Sequence, residues 1–485
     1  MDNGRSVAAR IPNKPMFGGG LSWITASEVA TMEAARLSGI RVPKVLGWSK
    51  DHSNNVGSPY IIMEYVEDVN LHNEWRLPKT RGEPAVRLLN TVMSDCSKMV
   101  SPIYSRSGAL YFKDDFPSSQ PTLNHSALVN SKFPFLDSEF NIGPIADNHW
   151  WRPFHDEENL PRGPFDTVEE LLLAAVTIER RAVERHREDP SSLAFMDSTL
   201  DDLDLVESLL DRVVALAPRL ADCGYPTYGL RPTLLHEKLD AFNIILPERT
   251  AENELQRMME PTLIDWQGTS ILPEPFQDLV IPLVEYQPSI FQGNGEPVFN
   301  IRRTMDFDEK DEPSIPPELE AQLDTPEDRE FVEGELRLAF RQFRYMEALS
   351  KTLIGIRNLR HPLAQFLPLL PQSILRACSN GPPALAATLL NIAYRWQDSW
   401  GGPCPIVFTA PEVERLLALM EKRRRYNASC HALKEFICCS PDGAVLPENY
   451  DSAVKLTHQL RKDWNEDECG GPFPLEDGRY SEHLT

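Results

Sequence analysis

The stretch LLHEKLDAFNIIL, residues Leu234 to Leu246, sets a histidine ahead of an apolar turn and an asparagine seven positions later. It then runs into a short strand-like segment, and a second apolar run, Thr262 to Trp266, carries Asp265. An asparagine amide and a carboxylate on adjacent strand ends are oxygen donors of the kind that hold Mg2+. Two further stretches extend the set. Arg10, near the end of the strand-like SVAARI (Ser6 to Ile11), offers a cation for phosphates, and Glu28, early in a helical pattern, offers that cation a partner. PYIIMEYV (Pro59 to Val66) places the backbone of Glu64 and Val66 where an adenine edge can hydrogen-bond. Phosphoryl transfer from ATP asks little covalent chemistry of a protein. It needs the nucleotide fixed, the metal held and an acceptor hydroxyl aligned, and these stretches divide that labour.

The elements that must carry these residues follow from patterning. The first seventy residues read strand, helix, strand, strand. Ser6 to Ile11 is followed by the Gly/Pro loop Pro15 to Gly20, then by a helix opened by Ser27-Glu28 and closed at Ser38-Gly39. Val45 to Trp48 and Pro59 to Val66 are strands joined by the polar loop Asp51 to Ser58. From Leu71 helices dominate: Glu83 to Val100, Val168 to Arg187 and Asp201 to Leu220, with an irregular segment, Ser101 to Asp166, rich in Phe, Pro and Trp. Short strands flank a polar hairpin at Pro247 to Glu260, and the acidic Asp306 to Glu330 reads as a solvated connector. Helices resume at Phe331 to Leu359, His361 to Cys378, Pro383 to Gln397, Ala410 to Phe436 and Tyr450 to Trp464. Trp150 to Phe154 reads as aromatic packing rather than a substrate cage.

Seven ordered blocks carry a resemblance. They are VAARIP (Val7 to Pro12), TASEVATME (Thr25 to Glu33), VPKVLGWS (Val42 to Ser49), SPYIIMEYV (Ser58 to Val66), GPFDTVEELL (Gly163 to Leu172), LLHEKLDAFNIIL and LIDWQGTSILP (Leu263 to Pro273). Together they resemble the aminoglycoside phosphotransferase and choline-kinase-like family, in the fungal branch related to altered inheritance of mitochondria proteins. The resemblance implies ATP and Mg2+ as cofactors and a small-molecule acceptor that the sequence does not identify. It implies that Arg10 takes the phosphate-contacting position with Glu28 as its helix partner, and that Glu64 to Val66 form the hinge. It further implies that His236 buttresses the catalytic segment, that Asn243 is the metal-binding Asn, and that Asp265 is the metal-binding Asp of a DFG-like Asp265-Trp266-Gln267.

Two departures from that pattern matter. The family loop has an aspartate two residues after the histidine, where it accepts or orients the acceptor hydroxyl's proton. Here that position is Lys238, with Asp240 two residues on. A protonated amine cannot accept a proton, which predicts impaired transfer. Second, the resemblance implies a strand, Gly-rich loop and strand ahead of VAARIP. Only nine residues precede Arg10, so the chain is expected to begin inside a hairpin, at the turn Asp2-Asn3-Gly4, with Ser6 to Ile11 on a sheet edge.

Composition bounds the rest. The 485 residues carry a net charge of −23, with 41% hydrophobic and 9% aromatic residues, a globular composition. The acidic balance disfavours a nucleic-acid partner. No apolar run reaches the roughly 18–20 residues of a membrane helix. Cys96, Cys223, Cys378, Cys404, Cys430, Cys438, Cys439 and Cys469 form no zinc-type spacing and read as reduced thiols of an intracellular protein. The resemblance suggests mitochondria, while the N-terminus shows no presequence, which leaves the cytoplasm open. The expected fold is α+β, a protein-kinase-like two-lobed fold with a truncated N-lobe over 1–70. A large helical C-lobe over 71–400 and a helical extension over 401–485 complete it. The expected function is ATP-dependent phosphoryl transfer to a small-molecule hydroxyl. The alternative is an inactive pseudokinase-type binding or scaffold protein linked to mitochondria, with a protein partner.

Overall fold

The computed structural model describes residues 6–12, 20–67, 69–75, 83–115, 128, 134–152, 155, 159–190, 200–222, 231–236, 238–248, 254–277, 281–286, 314–321, 323, 325–352, 363, 366–400, 402–439, 445 and 449–475. The expected turn at Asp2-Asn3-Gly4, most of the Pro15 to Gly20 loop, Cys223 and the start of the acidic connector lie outside these residues. The chain is α+β, with long helices and small sheets. It gathers into two compact units: Met1–Asp156 with Arg162–Thr167 and Tyr225–Arg360, and Glu157–Pro161 with Val168–Gly224 and His361–Thr485.

The first unit opens with β1 (Val7–Arg10), the helix α1 (Leu21–Leu37), β2 (Val45–Ser49) and β3 (Tyr60–Glu64). The sheet order is β1-β3-β2, antiparallel throughout, so β1 is an edge strand with Arg10 opposite Ile61. The helix α1 starts six residues before the Ser27-Glu28 opening expected from sequence. The reason is burial: Leu21, Ile24, Thr25 and Ala26 are buried, so Ser27 and Glu28 sit mid-helix instead of capping it. A second sheet, β4-β8-β9, combines β4 (Val69–Asn70), β8 (Ile244–Leu246) and β9 (Thr262–Leu263), and β8 and β9 form the expected hairpin. A helical turn, Glu254–Arg257, lies inside that hairpin.

The segment Ser101 to Asp166, expected to be irregular, contains the antiparallel pair β5 (Ala109–Phe112) and β6 (Phe140–Gly143). Both strands are almost wholly buried, which removes the period-2 alternation that marks a half-exposed strand. After β6 comes the single turn α3 (Asn148–Trp151), and β7 (Pro232–Leu234) pairs with β10 (Ile271–Pro273). A core of Met32, Leu71, Leu88, Val92, Leu239, Ile244, Leu263 and Trp266 joins α1, the helix α2 (Glu83–Val100) and the β8–β9 hairpin. The end of the acidic connector is helical, at Pro317–Glu320 and from Pro326 onward. Thr325 Oγ1 accepts from the Asp328 amide at 3.1 Å, and Pro326 already has its φ set for a first helical turn.

The second unit is helical. Val168–Glu188 packs on Leu200–Asp222, and Pro383–Trp400 packs on Ala410–Ile437. The latter helix opens with a capping box between Thr409 and Glu412. Of the helix expected over His361 to Cys378, the described residues show Leu369–Leu375, with Pro368 just before it and Pro371 in its first turn, the positions where proline is tolerated. No helix among the described residues is long and apolar enough to cross a membrane.

Candidate functional site

The edge strand β1 delivers Arg10 and the middle of α1 delivers Glu28, which is buried. The Arg10 guanidinium has three partners. Nη1 donates to the Glu28 carboxylate and lies 2.9 Å from Asp265 Oδ1, while Nη2 donates to Gln267 Oε1. Asp265 Oδ1 is within ion-pair distance but out of line for a hydrogen bond, so it remains a buried oxygen without a hydrogen-bond partner. Burial raises the Glu28 pKa from 4.5 to about 7, with Asp265 adding to the rise and Arg10 and Lys238 opposing it. A buried carboxylate persists only where such partners compensate its desolvation.

The loop after β7 holds the next group. His236 is buried, and its Nε2 lies 3.0 Å from the Ile264 carbonyl. A carbonyl only accepts, so Nε2 carries the proton and Nδ1 is left as a buried acceptor without a partner. Burial lowers the His236 pKa, helped by Lys238 and resisted by Ile264 and Asp265, which favours the neutral ring. The ring also meets Trp266 edge-on at 4.7 Å. His236 therefore ties the loop to the residue just before Asp265.

Asp240 has a structural task. Its Oδ1 accepts from the amides of Phe242 at 2.8 Å and Asn243 at 3.0 Å, capping the short 3-10 turn Ala241–Asn243. The Asn243 side chain donates through Nδ2 to the Lys238 carbonyl at 2.8 Å, and its own carbonyl accepts from the Ile264 amide at 3.0 Å. Asn243 is thus adjacent in backbone to the Asp265 strand end. Asp265 has φ of 60°, the left-handed region, which costs a non-glycine residue energy.

The cleft at these residues is lined by Asp147, His236, Lys238, Asp265, Gln267, Gly268 and Thr269. His236, Lys238 and Asp265 were expected there, and Arg10 and Glu28 join through the Asp265 and Gln267 contacts. Asp240, Asn243, Glu64 and Val66 are not among the lining residues. Glu64 lies at the end of β3, with its amide donating to the Lys44 carbonyl at 2.9 Å and its side chain exposed, and Val66 is half-buried. Asp147, Gly268 and Thr269 were missed, and Gln267 was named only as the last position of the DFG-like motif. Asp147 caps α3, accepting at Oδ1 from the His149 amide and from His149 Nδ1, each at 2.8 Å. Burial works to raise its pKa, yet His149 and then Lys238 bring it below the ordinary carboxylate value. Among the described residues, no cluster of three or more His, Cys, Asp and Glu is arranged to hold a metal.

No protein-family model matches the chain. It is 25% identical over 503 residues to a subtelomeric hrmA-associated cluster protein of Aspergillus fumigatus, a match that covers 95% of this chain and 88% of that protein. It is 28% identical over 333 residues to altered inheritance of mitochondria protein 9, mitochondrial, of Zygosaccharomyces rouxii, covering 63% of this chain and 49% of the relative. The same protein of Lachancea thermotolerans is 25% identical over 336 residues, covering 62% and 49%. The chain thus spans about half the length of these two mitochondrial relatives. The fungal and altered-inheritance parts of the sequence resemblance stand on these relatives, and their mitochondrial names support the mitochondrial placement expected for this chain.

Proposed function

We propose that the chain is a kinase-like, aminoglycoside-phosphotransferase-type protein that binds a nucleoside triphosphate in this cleft for transfer of its terminal phosphoryl group to a small-molecule hydroxyl. One observation carries the reading. A strand cation, a buried helix glutamate and an aspartate beyond a distant hairpin meet at Arg10, although they are 18 and 255 residues apart. That is the charge arrangement phosphoryl-transfer sites use to fix phosphates beside a metal. Arg10 contacts the phosphates, and Glu28 and Gln267 keep its guanidinium in place. The backbone of Glu64 and Val66 borders the adenine.

The donor set fits Mg2+, which binds through one or two carboxylates and otherwise keeps waters and phosphate oxygens. Asp265, with a buried oxygen lacking a hydrogen bond, and the Asn243 amide oxygen are the residues to hold it. When bound, the ion supplies charge neutralisation on the phosphates. His236 keeps the Asp265 segment in position, and Lys238 adds positive charge on the acceptor side.

A second reading, nucleotide binding without transfer, is favoured by Lys238 in the aspartate position and by Asp240 Oδ1 being committed to the cap of the Ala241–Asn243 turn. Melting curves with and without Mg-ATP test both, because a ligand that binds only the folded state raises the midpoint. An upward shift with ADP release fits the first reading, and a shift without release fits the second. An unchanged midpoint at saturating nucleotide removes both.

A further inference from the structure

The cleft holds a carboxylate that no sequence motif announces. Asp147 enters it from the loop between β6 and α3, distant in sequence from both Lys238 and Asp265. Its Oδ1 is committed to the two His149 donors. Its Oδ2 has no hydrogen-bond partner among the described residues and faces Gly268, where an added Cβ would lie 3.4 Å from it. Gly268, at φ of +81°, keeps that approach open. Capping α3 needs a single oxygen, so the cap accounts for only half of this carboxylate.

The placement of α3 is also firmly determined. The Trp151 indole donates to the Ile145 carbonyl at 2.7 Å, Arg162 sits over its ring at 3.7 Å, and Gly20 at the start of α1 packs directly against it. A carboxylate held this way does not need a flexible loop to reach the cleft.

We propose that Asp147 is the carboxylate that orients the acceptor hydroxyl and takes its proton, supplying from another segment what Lys238 cannot. This rests on the phosphoryl-transfer reading above. As the acceptor oxygen bonds to the γ-phosphorus of the nucleoside triphosphate, its proton passes to Asp147 Oδ2. The bond from the γ-phosphorus to the β–γ bridging oxygen breaks, and the nucleoside diphosphate leaves with that electron pair. The proton then returns to solvent.

Asp147→Asn and Asp147→Ser both keep an N-capping oxygen, so α3 retains its start. ADP release from Mg-ATP, with water as the acceptor, is measured for the unaltered protein and both variants beside ATP affinity and melting temperature. The expected result is a fall in turnover on the order of 10²–10⁴ in both variants, the range for losing a general base, with ATP affinity and melting temperature little changed. Equal turnover in variants and unaltered protein overturns the proposal. So does loss of folding in both variants, which marks Asp147 as a cap alone. ATP binding without ADP release by the unaltered protein overturns it while leaving the nucleotide site in place, whereas absence of ATP binding removes the underlying reading as well.

Discussion

Glu28 is the residue whose chemistry is most exposed to experiment. It is buried beside Arg10, and its pKa stands at about 7 against 4.5 in the unfolded chain. A folded-state pKa raised in this way contributes stability fully present below about 4.5 and lost as pH rises through about 7. Glu28→Gln keeps the shape and removes the titration. In metal-free buffer the stability of the unaltered protein relative to this variant should decline between those two pH values and level off above them, by at most about 3 kcal/mol. Denaturant melts across that window check it, and a constant difference would contradict the burial account. Lys238 was legible as a departure, since its position in LLHEKLDAFNIIL is fixed by the flanking histidine and asparagine. Its surroundings were not legible. Asp240 serves as a turn cap, and the carboxylate that joins Asp265 in lining the cleft is Asp147, which reads in sequence as an ordinary helix-start aspartate.

At the scale of elements, the junction of α1 and α3 decides where Asp147 stands. A Cβ on Gly20 would come 2.4 Å from Trp151 Cγ, and Trp151 cannot retreat, being buried, hydrogen-bonded and covered by Arg162. Gly20→Ala should therefore cost about 1–3 kcal/mol, the range for overpacking. Gly47→Ala, with nothing within 4 Å of the added carbon, should stay within about 0.5 kcal/mol. Chemical denaturation of the two variants makes the comparison, and equal costs would contradict the packing described. In the helical unit, Thr409→Ala removes the capping box with Glu412 and should cost about 1 kcal/mol. The long helices were readable because periodicity survives in them, and the β2, β3 and β8–β9 strands because they stand as short apolar runs beside polar loops. The β5–β6 pair was not, because strands buried on both faces lose alternation. The early start of α1 was hidden for a related reason: Ser27 and Glu28 look like capping residues, and only tertiary burial makes them interior.

Across the whole molecule, the α+β class was legible in the succession of patterns, whereas the meeting of Arg10, Asp147 and Asp265 depends on chain reversals that periodicity does not encode. The described cysteines carry no disulfide. Burial raises the Cys96 thiol pKa to about 12, while Cys438 is exposed at the end of its helix. Alkylation of the native protein followed by peptide mapping should modify Cys438 early and Cys96 last, since only the thiolate reacts. Early modification of Cys96 would contradict the packing of the first unit's core.

The central claim is that this cleft binds a magnesium nucleotide through Asp265, and calorimetric titration with ATP and Mg2+ tests it most directly. Asp265→Asn is the matched variant, because asparagine tolerates the positive φ at that position and preserves size. The account predicts saturable binding by the unaltered protein, weakened about tenfold or more in the variant through loss of a charged ligand contact. Absence of binding heat at several temperatures, or the same affinity in both proteins, would contradict it.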